Sequence, residues 1–369
     1  MLQSADIDKT KLAAIDTVVE GAVTRGECPG AVVVVVHADT VVYRKAFGKR
    51  AVKPDAIAMT ADTVFDMASL TKPVATGTSV LLLIQQGKLK PDDLVSKHWP
   101  AFAANGKDKV TVEHLLLHTS GLTADNAVTD YADGRAKALE RIANLKLEAP
   151  PGARFKYSDV GFIVLGALVE RLSGTPLDLF AKKHVFEPLK MTDTGYAPGD
   201  ALKKRVAPTG LRDGNVILGT VHDPRAFKMG GVAGHAGLFS SADDMARYCR
   251  MLLHEGELDG TRVLDARTVK LFTEAHPVPV LDKGGKETKG LRSFGWDVDT
   301  SYSAPRGNLF KKGEGYGHTG FTGTSVWIDP GSKAAVIVLT NRVHPNDKGN
   351  ATPLRRAVGT IVAAALGKK

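Results

Sequence analysis

The sequence predicts an α/β fold of the α+β kind: one antiparallel sheet made from both ends of the chain, flanked by helices, with a helical block inserted between its halves. Three observations lead there. β-rich runs lie near the amino terminus, Ala31 to His37 and Thr40 to Phe47, and return after Ser293. Between them, from Ser69 to about Leu253, apolar residues recur at helical spacing. The 369 residues, 43% hydrophobic and 24% charged, suffice for a large core in two lobes. The expected division is a sheet domain of residues 1–75 and 255–369 and a mainly helical domain of 76–254, with the site in the crevice between them.

Taken in order, Asp8 to Arg25 has helical spacing (Leu12, Ile15, Val18, Val19, Ala22) and Gly26 as a stop. The runs Ala31–His37 and Thr40–Phe47 meet at Ala38-Asp39 and read as a hairpin whose first strand is buried on both faces. Pro73 breaks a helix interior, so the helix containing it must begin near Ser69 or Leu70. Further helices are expected over Thr76–Gln86, Val112–His118, Val160–Leu172 (closed by Gly174) and Asp243–His254. The last of these opens on Ser241, with Asp244 at capping-box spacing. Extended runs follow at Ser293–Val298, Gly317–Ile328 and Lys333–Asn341, the last two joined by the turn Asp329-Pro330-Gly331-Ser332, and a helix over Thr352–Leu366 closes the chain.

A formal charge of +9 is spread along the chain, with a mild cluster from Lys283 to Arg292. No arginine-rich helix or interleaving of aromatic and basic residues occurs, so nucleic acid is not an expected partner. Two cysteines, Cys28 and Cys249, cannot form a disulfide framework. Met1 to Lys11 alternates charges without an apolar stretch, and the longest apolar run, Ala31 to Val36, is too short for a bilayer. The expectation is a cytoplasmic protein without a membrane span, or a periplasmic or secreted one if a leader has been removed.

The chemistry centres on Phe65-Asp66-Met67-Ala68-Ser69-Leu70-Thr71-Lys72-Pro73. Ser69 falls at a helix N-terminus, where unpaired amides and the helix dipole favour negative charge developing beside it. Lys72, three residues on, shares a face with the hydroxyl. Its amine acts as a base only when neutral, which needs burial or cationic neighbours to lower its pKa. Taken alone, the spacing is weak evidence and is more readily that of a serine capping a core helix.

Two other stretches strengthen the catalytic reading. In Phe155-Lys156-Tyr157-Ser158-Asp159-Val160 a tyrosine precedes a helix start, where a phenol beside a lysine can relay a proton; the structural alternative has Ser158 or Asp159 as a cap and Tyr157 as ordinary packing. In Gly317-His318-Thr319-Gly320-Phe321-Thr322-Gly323, glycines let a ligand lie against a strand whose amide, with that of Ser69, would hold an oxyanion. Here the alternative is a bulged edge strand with His318 exposed.

Together these stretches resemble the penicillin-recognising serine hydrolases of the class C β-lactamase type, a group that includes D-alanyl-D-alanine carboxypeptidases and family VIII carboxylesterases. Ser69 to Lys72 matches its Ser-x-x-Lys element, Tyr157-Ser158-Asp159 its Tyr-x-Asn element and His318-Thr319-Gly320 its Lys-Thr-Gly element. Residues 112–121 and 234–243 also look familial. The resemblance implies a β-lactamase/transpeptidase-like fold with an all-helical lobe. It implies Ser69 as the acylated nucleophile, Lys72 as proton acceptor, Tyr157 as relay to the leaving group, and the Ser69 and Phe321 amides as oxyanion hole. His318, Thr319, Gly320 and Asp159 complete the expected site, without cofactor or metal.

Two departures bear on substrate. His318 stands where β-lactamases carry a lysine that engages a carboxylate, and neutral imidazole holds an anion less strongly. Asp159 stands in place of asparagine, trading an amide donor for a carboxylate that only accepts, unless it is protonated or paired with a cation. Three readings follow. The first is a hydrolase of small esters or D-amino-acid peptides, leaning to esters, with carboxypeptidase or weak β-lactamase activity as variants. The others are an acyltransferase and a penicillin or peptidoglycan sensor that acylates and stalls. His114 and His118 have the spacing of a zinc pair but no third ligand in sequence, His235 faces either cleft or core, and His222-Asp223-Pro224 reads as a turn.

Overall fold

The computed structural model describes residues 7–281 and 284–369. Expectations drawn from Met1 to Lys11 and from the Lys283 end of the basic cluster lie partly outside the described residues. A nine-stranded sheet runs in the order His276–Leu281, Glu287–Arg292, Asp297–Asp299, Tyr316–Thr319, Ser325–Asp329, Ala334–Thr340, Gly30–His37, Thr40–Ala51, Ile57–Ala58. Every pairing in it is antiparallel. Strands from the two ends of the chain meet where Gly30–His37 pairs with Ala334–Thr340, Val33 opposite Val338.

That central strand explains the layering. All eight of its residues are buried, and their alternation divides two cores. Ala31, Val33 and Val35 pack with Leu12, Ile15 and Val19 of the amino-terminal helix and Leu354, Val358 and Val362 of the carboxy-terminal helix Thr352–Ala365. Val32, Val34 and Val36 face the opposite core, shared with the long helix Asp159–Ser173. Burying each valine fully contributes about 1.5–3 kcal/mol, so this strand is stable only in the middle of the sheet. Helix Ala242–Leu253 packs across the same two central strands.

Several boundaries differ from expectation. The amino-terminal helix is two pieces, Lys9–Leu12 and Ala14–Thr24. Helix Val112–Leu116 stops short of His118, which takes a left-handed φ of 59°. Residues 293–296 are a turn, and the extended run from Gly317 is interrupted between Thr319 and Ser325. Ser241 caps its helix by accepting from the Asp244 amide, but the Asp244 carboxylate accepts from Asp193 and Thr194 instead of closing the box. Strands His276–Leu281 and Glu287–Arg292 lie at one end of the sheet with mostly exposed or half-buried side chains, so no apolar alternation announces them.

Both cysteines are free and buried, and burial pushes the Cys28 thiol up to about 12. Among the described residues no single helix is long and apolar enough to cross a membrane.

Candidate active site

The segment that carries Ser69 leaves strand Val64–Asp66 and winds tightly through Ala68–Leu70, then loosely as π turns over Lys72–Gly77, before becoming regular α-helix at Thr78–Gln85. Pro73 sits in the first turn, where its missing amide hydrogen is not needed. Such widened turns are frequent at functional sites, and here Ser69 and Lys72 come onto one face. The Lys72 ammonium donates to Ser69 Oγ at 3.1 Å and to the His235 carbonyl oxygen at 3.1 Å, and pairs with Asp159 Oδ1 at 2.6 Å. The amine is fully buried.

This geometry bears on the condition for a basic amine. Burial alone would favour a neutral amine, but the Asp159 carboxylate and the Tyr157 oxygen outweigh it and hold the Lys72 pKa above its ordinary value. The resting lysine is therefore a cation, and the residue that departs from the family's asparagine is its counterion. Asp159→Asn is expected to move the pH at which the amine becomes a base downward by about one unit or more. The measurement is the pH dependence of kcat/KM with p-nitrophenyl acetate, and an unmoved profile would contradict the pairing's role.

Tyr157 and Asp159 are aimed by the cap between them. Ser158 Oγ accepts from the Gly161 amide at 3.1 Å and donates to the Thr123 carbonyl at 2.6 Å, while its own amide donates to His118 Nδ1 at 3.0 Å. The structural reading of Ser158 as cap and the catalytic reading of its neighbours thus hold together. The Tyr157 ring stacks between His118, 4.5 Å away, and Tyr302, 5.3 Å away. Its phenol interacts with both Lys72 and Ser69; burial raises its pKa against the pull of the Lys72 charge, so it rests neutral.

On the far wall, the Tyr316–Thr319 strand and the turn after it press against the nucleophile segment. Thr322 Oγ1 donates to the Asp66 carbonyl at 2.7 Å and Thr324 Oγ1 to the Met67 carbonyl at 3.1 Å. A Cβ on Gly320 would lie 2.6 Å from the Met67 carbonyl oxygen, so only glycine permits this approach. The amide of Phe321 belongs to the turn and not to the strand. Neither it nor the Ser69 amide donates to an acceptor among the described residues, which leaves both for an oxyanion.

His318 is buried and its Nδ1 donates to the Thr319 carbonyl at 2.8 Å. Burial first, then the Arg292 and Lys72 charges, hold its pKa well below the usual imidazole range. It is neutral at pH 7 and its other nitrogen is an acceptor, a poor partner for a carboxylate.

One cavity of about 410 Å³ is lined by Ser69, Tyr157, His318, Thr319, Gly320 and Phe321. The residues singled out in the three stretches therefore converge. Asp159 sits behind Lys72 as its counterion. The same cavity is also lined by Arg292, Tyr302, Arg342 and Arg355, which sequence reasoning passed over. A signal existed for Arg355: it lies on the buried stripe of its helix with Leu354, Val358 and Val362. His114 and His118 do not converge, since His114 Nδ1 serves the Thr111 amide. Among the described residues, Asp159, Asp223 and His235 bring ligand atoms within 4.8 Å of one another, and the cation paired with Asp159 is Lys72.

A hydroxyl beside a lysine and a phenol, facing two unpaired amides, is an arrangement suited to a serine hydrolase. The chain belongs to the Beta-lactamase family, whose profile matches residues 15–360. It is 33% identical over 385 residues to an N-acetylmuramyl-L-alanine amidase of Bacillus subtilis, covering 93% of this chain and 83% of that protein. It is 34% identical over 354 residues to a "Putative D-alanyl-D-alanine carboxypeptidase" of Escherichia coli K12, covering 86% and 79%. Among solved structures, a penicillin-binding protein homolog from Caulobacter crescentus superposes with a TM-score of 0.77 at 21% identity, over 98% of this chain and 99% of that one. EstCE1, described as a hydrolase with promiscuous acyltransferase activity, gives 0.75 at 24% over 96% and 99%. Both structures share the β-lactamase/transpeptidase-like fold.

Proposed function

We propose that Ser69 forms an acyl-enzyme with small esters and D-amino-acid peptides, and that the site favours acyl donors carrying a carboxylate. The observation that carries this is Arg355. It is 8% exposed, lines the cavity beside Ser69, and donates through Nη2 to the Gly320 and Thr324 carbonyls at 2.7 and 2.8 Å. It has no carboxylate partner among the described residues, and burial together with nearby Arg342 lowers its pKa to about 9. A buried charge is ordinarily paired, so a cation left open to a substrate cavity suits an anionic substrate group. The neutral His318 argues for esters and against β-lactams. Arg355 restores an anion-binding element elsewhere in the cavity, and the carboxypeptidase relatives agree with that.

In this reading Lys72, once neutral, takes the Ser69 proton as Oγ bonds the carbonyl carbon. The resulting oxyanion sits between the Ser69 and Phe321 amides. Tyr157 gives its proton to the leaving group and regains one from Lys72, and water then repeats the sequence to free the acid.

The test compares p-nitrophenyl acetate, a diacetyl-lysyl-D-alanyl-D-alanine peptide and a chromogenic cephalosporin, with the parent and Arg355→Ala. Turnover of the first two is expected. The variant should raise KM for the peptide by about tenfold or more, the loss typical of a hydrogen bond to a charged group, and leave the ester's KM within about twofold. Equal effects on ester and peptide would remove the carboxylate preference.

A further inference from the structure

Asp66, three residues before the nucleophile, is 2% exposed, and both of its carboxylate oxygens are committed. Oδ1 accepts from the Ala68 amide at 2.8 Å and Oδ2 from the His222 amide at 2.6 Å. Ala68 has a φ of +46°, a left-handed conformation that an alanine adopts only under constraint, and it is the residue that swings Ser69 into the cavity. The bond from Asp66 holds that strained turn. Its other bond anchors the turn to the loop His222-Asp223.

The same loop reaches the lysine by a second arm. Asp223 Oδ1 accepts from the Ala226 amide at 2.7 Å, capping helix Pro224–Lys228, and from His235 Nε2 at 2.9 Å. His235 is fully buried, and its carbonyl oxygen receives the Lys72 ammonium at 3.1 Å. Its neighbours are fixed as well, since Thr76 Oγ1 donates to the Gly234 carbonyl at 2.7 Å and Thr71 Oγ1 accepts from the Leu238 amide at 3.1 Å.

We propose that Asp66 and Asp223 are positioning residues which, from the one loop His222-Asp223, hold Ser69 and Lys72 in register: Asp66 through the strained Ala68 turn, Asp223 through His235. The inference rests on Ser69 being the nucleophile and adds what keeps it in place. Neither carboxylate touches the reacting atoms.

The two bonds at Asp66 are at full strength only with the ionised carboxylate, because a proton on one oxygen weakens that oxygen as an acceptor and sets an O–H donor among the amides. Burial raises this group to about 6, against the pull of the His222 and Ala68 amides, with Asp223 raising it further and Arg212 opposing. The His222 imidazole stacks on Phe321, 5.6 Å away, and burial holds its own pKa below the usual range. As pH falls through that value the turn should loosen while the protein stays folded.

The experiment measures kcat and KM for p-nitrophenyl acetate between pH 5 and 8 in the parent, Asp66→Asn and Asp223→Asn, with circular dichroism at each pH. The parent should show a further one-proton acid limb in kcat near pH 6, added to the slope that titration of the Lys72 amine imposes across the whole range. Asparagine offers one acceptor oxygen and sets its amide donors against the second N–H, so Asp66→Asn should lower kcat about a hundredfold or more, leave KM within about threefold, and lack that limb. Asp223→Asn keeps the helix cap but weakens the hold on His235, and should lower kcat/KM about tenfold. A kcat within threefold of the parent in Asp66→Asn, or a limb that persists there, overturns the proposal. Should that variant not fold, a parent kcat that is flat from pH 5 to 7, or an unchanged Asp223→Asn, overturns it instead. Labelling with a fluorophosphonate separates the two levels: a Ser69→Ala variant that labels like the parent refutes the nucleophile itself, whereas slow labelling confined to Asp66→Asn supports its positioning.

Discussion

Ser69→Ala is expected to lower kcat by about a thousandfold or more on every substrate, because removing a covalent nucleophile typically leaves only the background supplied by binding and the oxyanion donors. The loss should be confined to chemistry. Ser69 lies in a short, tightly wound turn whose conformation is set by the Asp66 and Thr322 bonds and not by the serine hydroxyl. The variant should therefore have the parent's circular dichroism, and p-nitrophenyl acetate turnover within tenfold of the parent would refute the assignment.

Lys72→Ala should have the next largest effect. The ammonium donates to Ser69 and His235 and is paired with Asp159, so its removal strips the serine of its base and leaves the Asp159 carboxylate without its counterion. A fall in kcat of about a thousandfold is expected. Breaking a fully buried ion pair costs about 3–5 kcal/mol, but the Asp159 side chain is 20% exposed and can be partly hydrated, so the destabilisation should fall below that range. Thermal melts read the second quantity and ester hydrolysis the first. A variant that kept a tenth of the parent's kcat would show that the proton leaves Ser69 by another route.

What the sequence disclosed of this site follows from how far apart the partners lie along the chain. Ser69 and Lys72 are three residues apart, and the Ser158 cap and Gly174 stop are local signals, so the nucleophile pair and the helix beneath Tyr157 were legible. The central valine strand was legible too, since a run buried on both faces has no polar alternation to hide it. The Asp66 carboxylate, by contrast, meets its second partner 156 positions away, and Lys72 meets the His235 carbonyl 163 positions away. No spacing rule encodes such contacts. Asp159 was recognised as a departure, but its meaning depends on the ammonium at 2.6 Å, which only the folded chain reveals. Arg355 was missed although a cation on the apolar stripe of a helix is a readable anomaly.

The sheet's two-ended construction has a consequence for biosynthesis. Strand Gly30–His37 gains Thr40–Ala51 as a neighbour almost as soon as it is made, yet its other edge stays bare until Ala334–Thr340 has been translated. The braces on the catalytic turn come from Thr322 and Thr324, and Arg355 arrives later still. A nascent chain thus carries an apolar, unpaired edge throughout the synthesis of the roughly three hundred residues between these strands, which invites association with other chains. Ser69 cannot be set until these braces have been made, so a product that stops before residue 322 should have no activity.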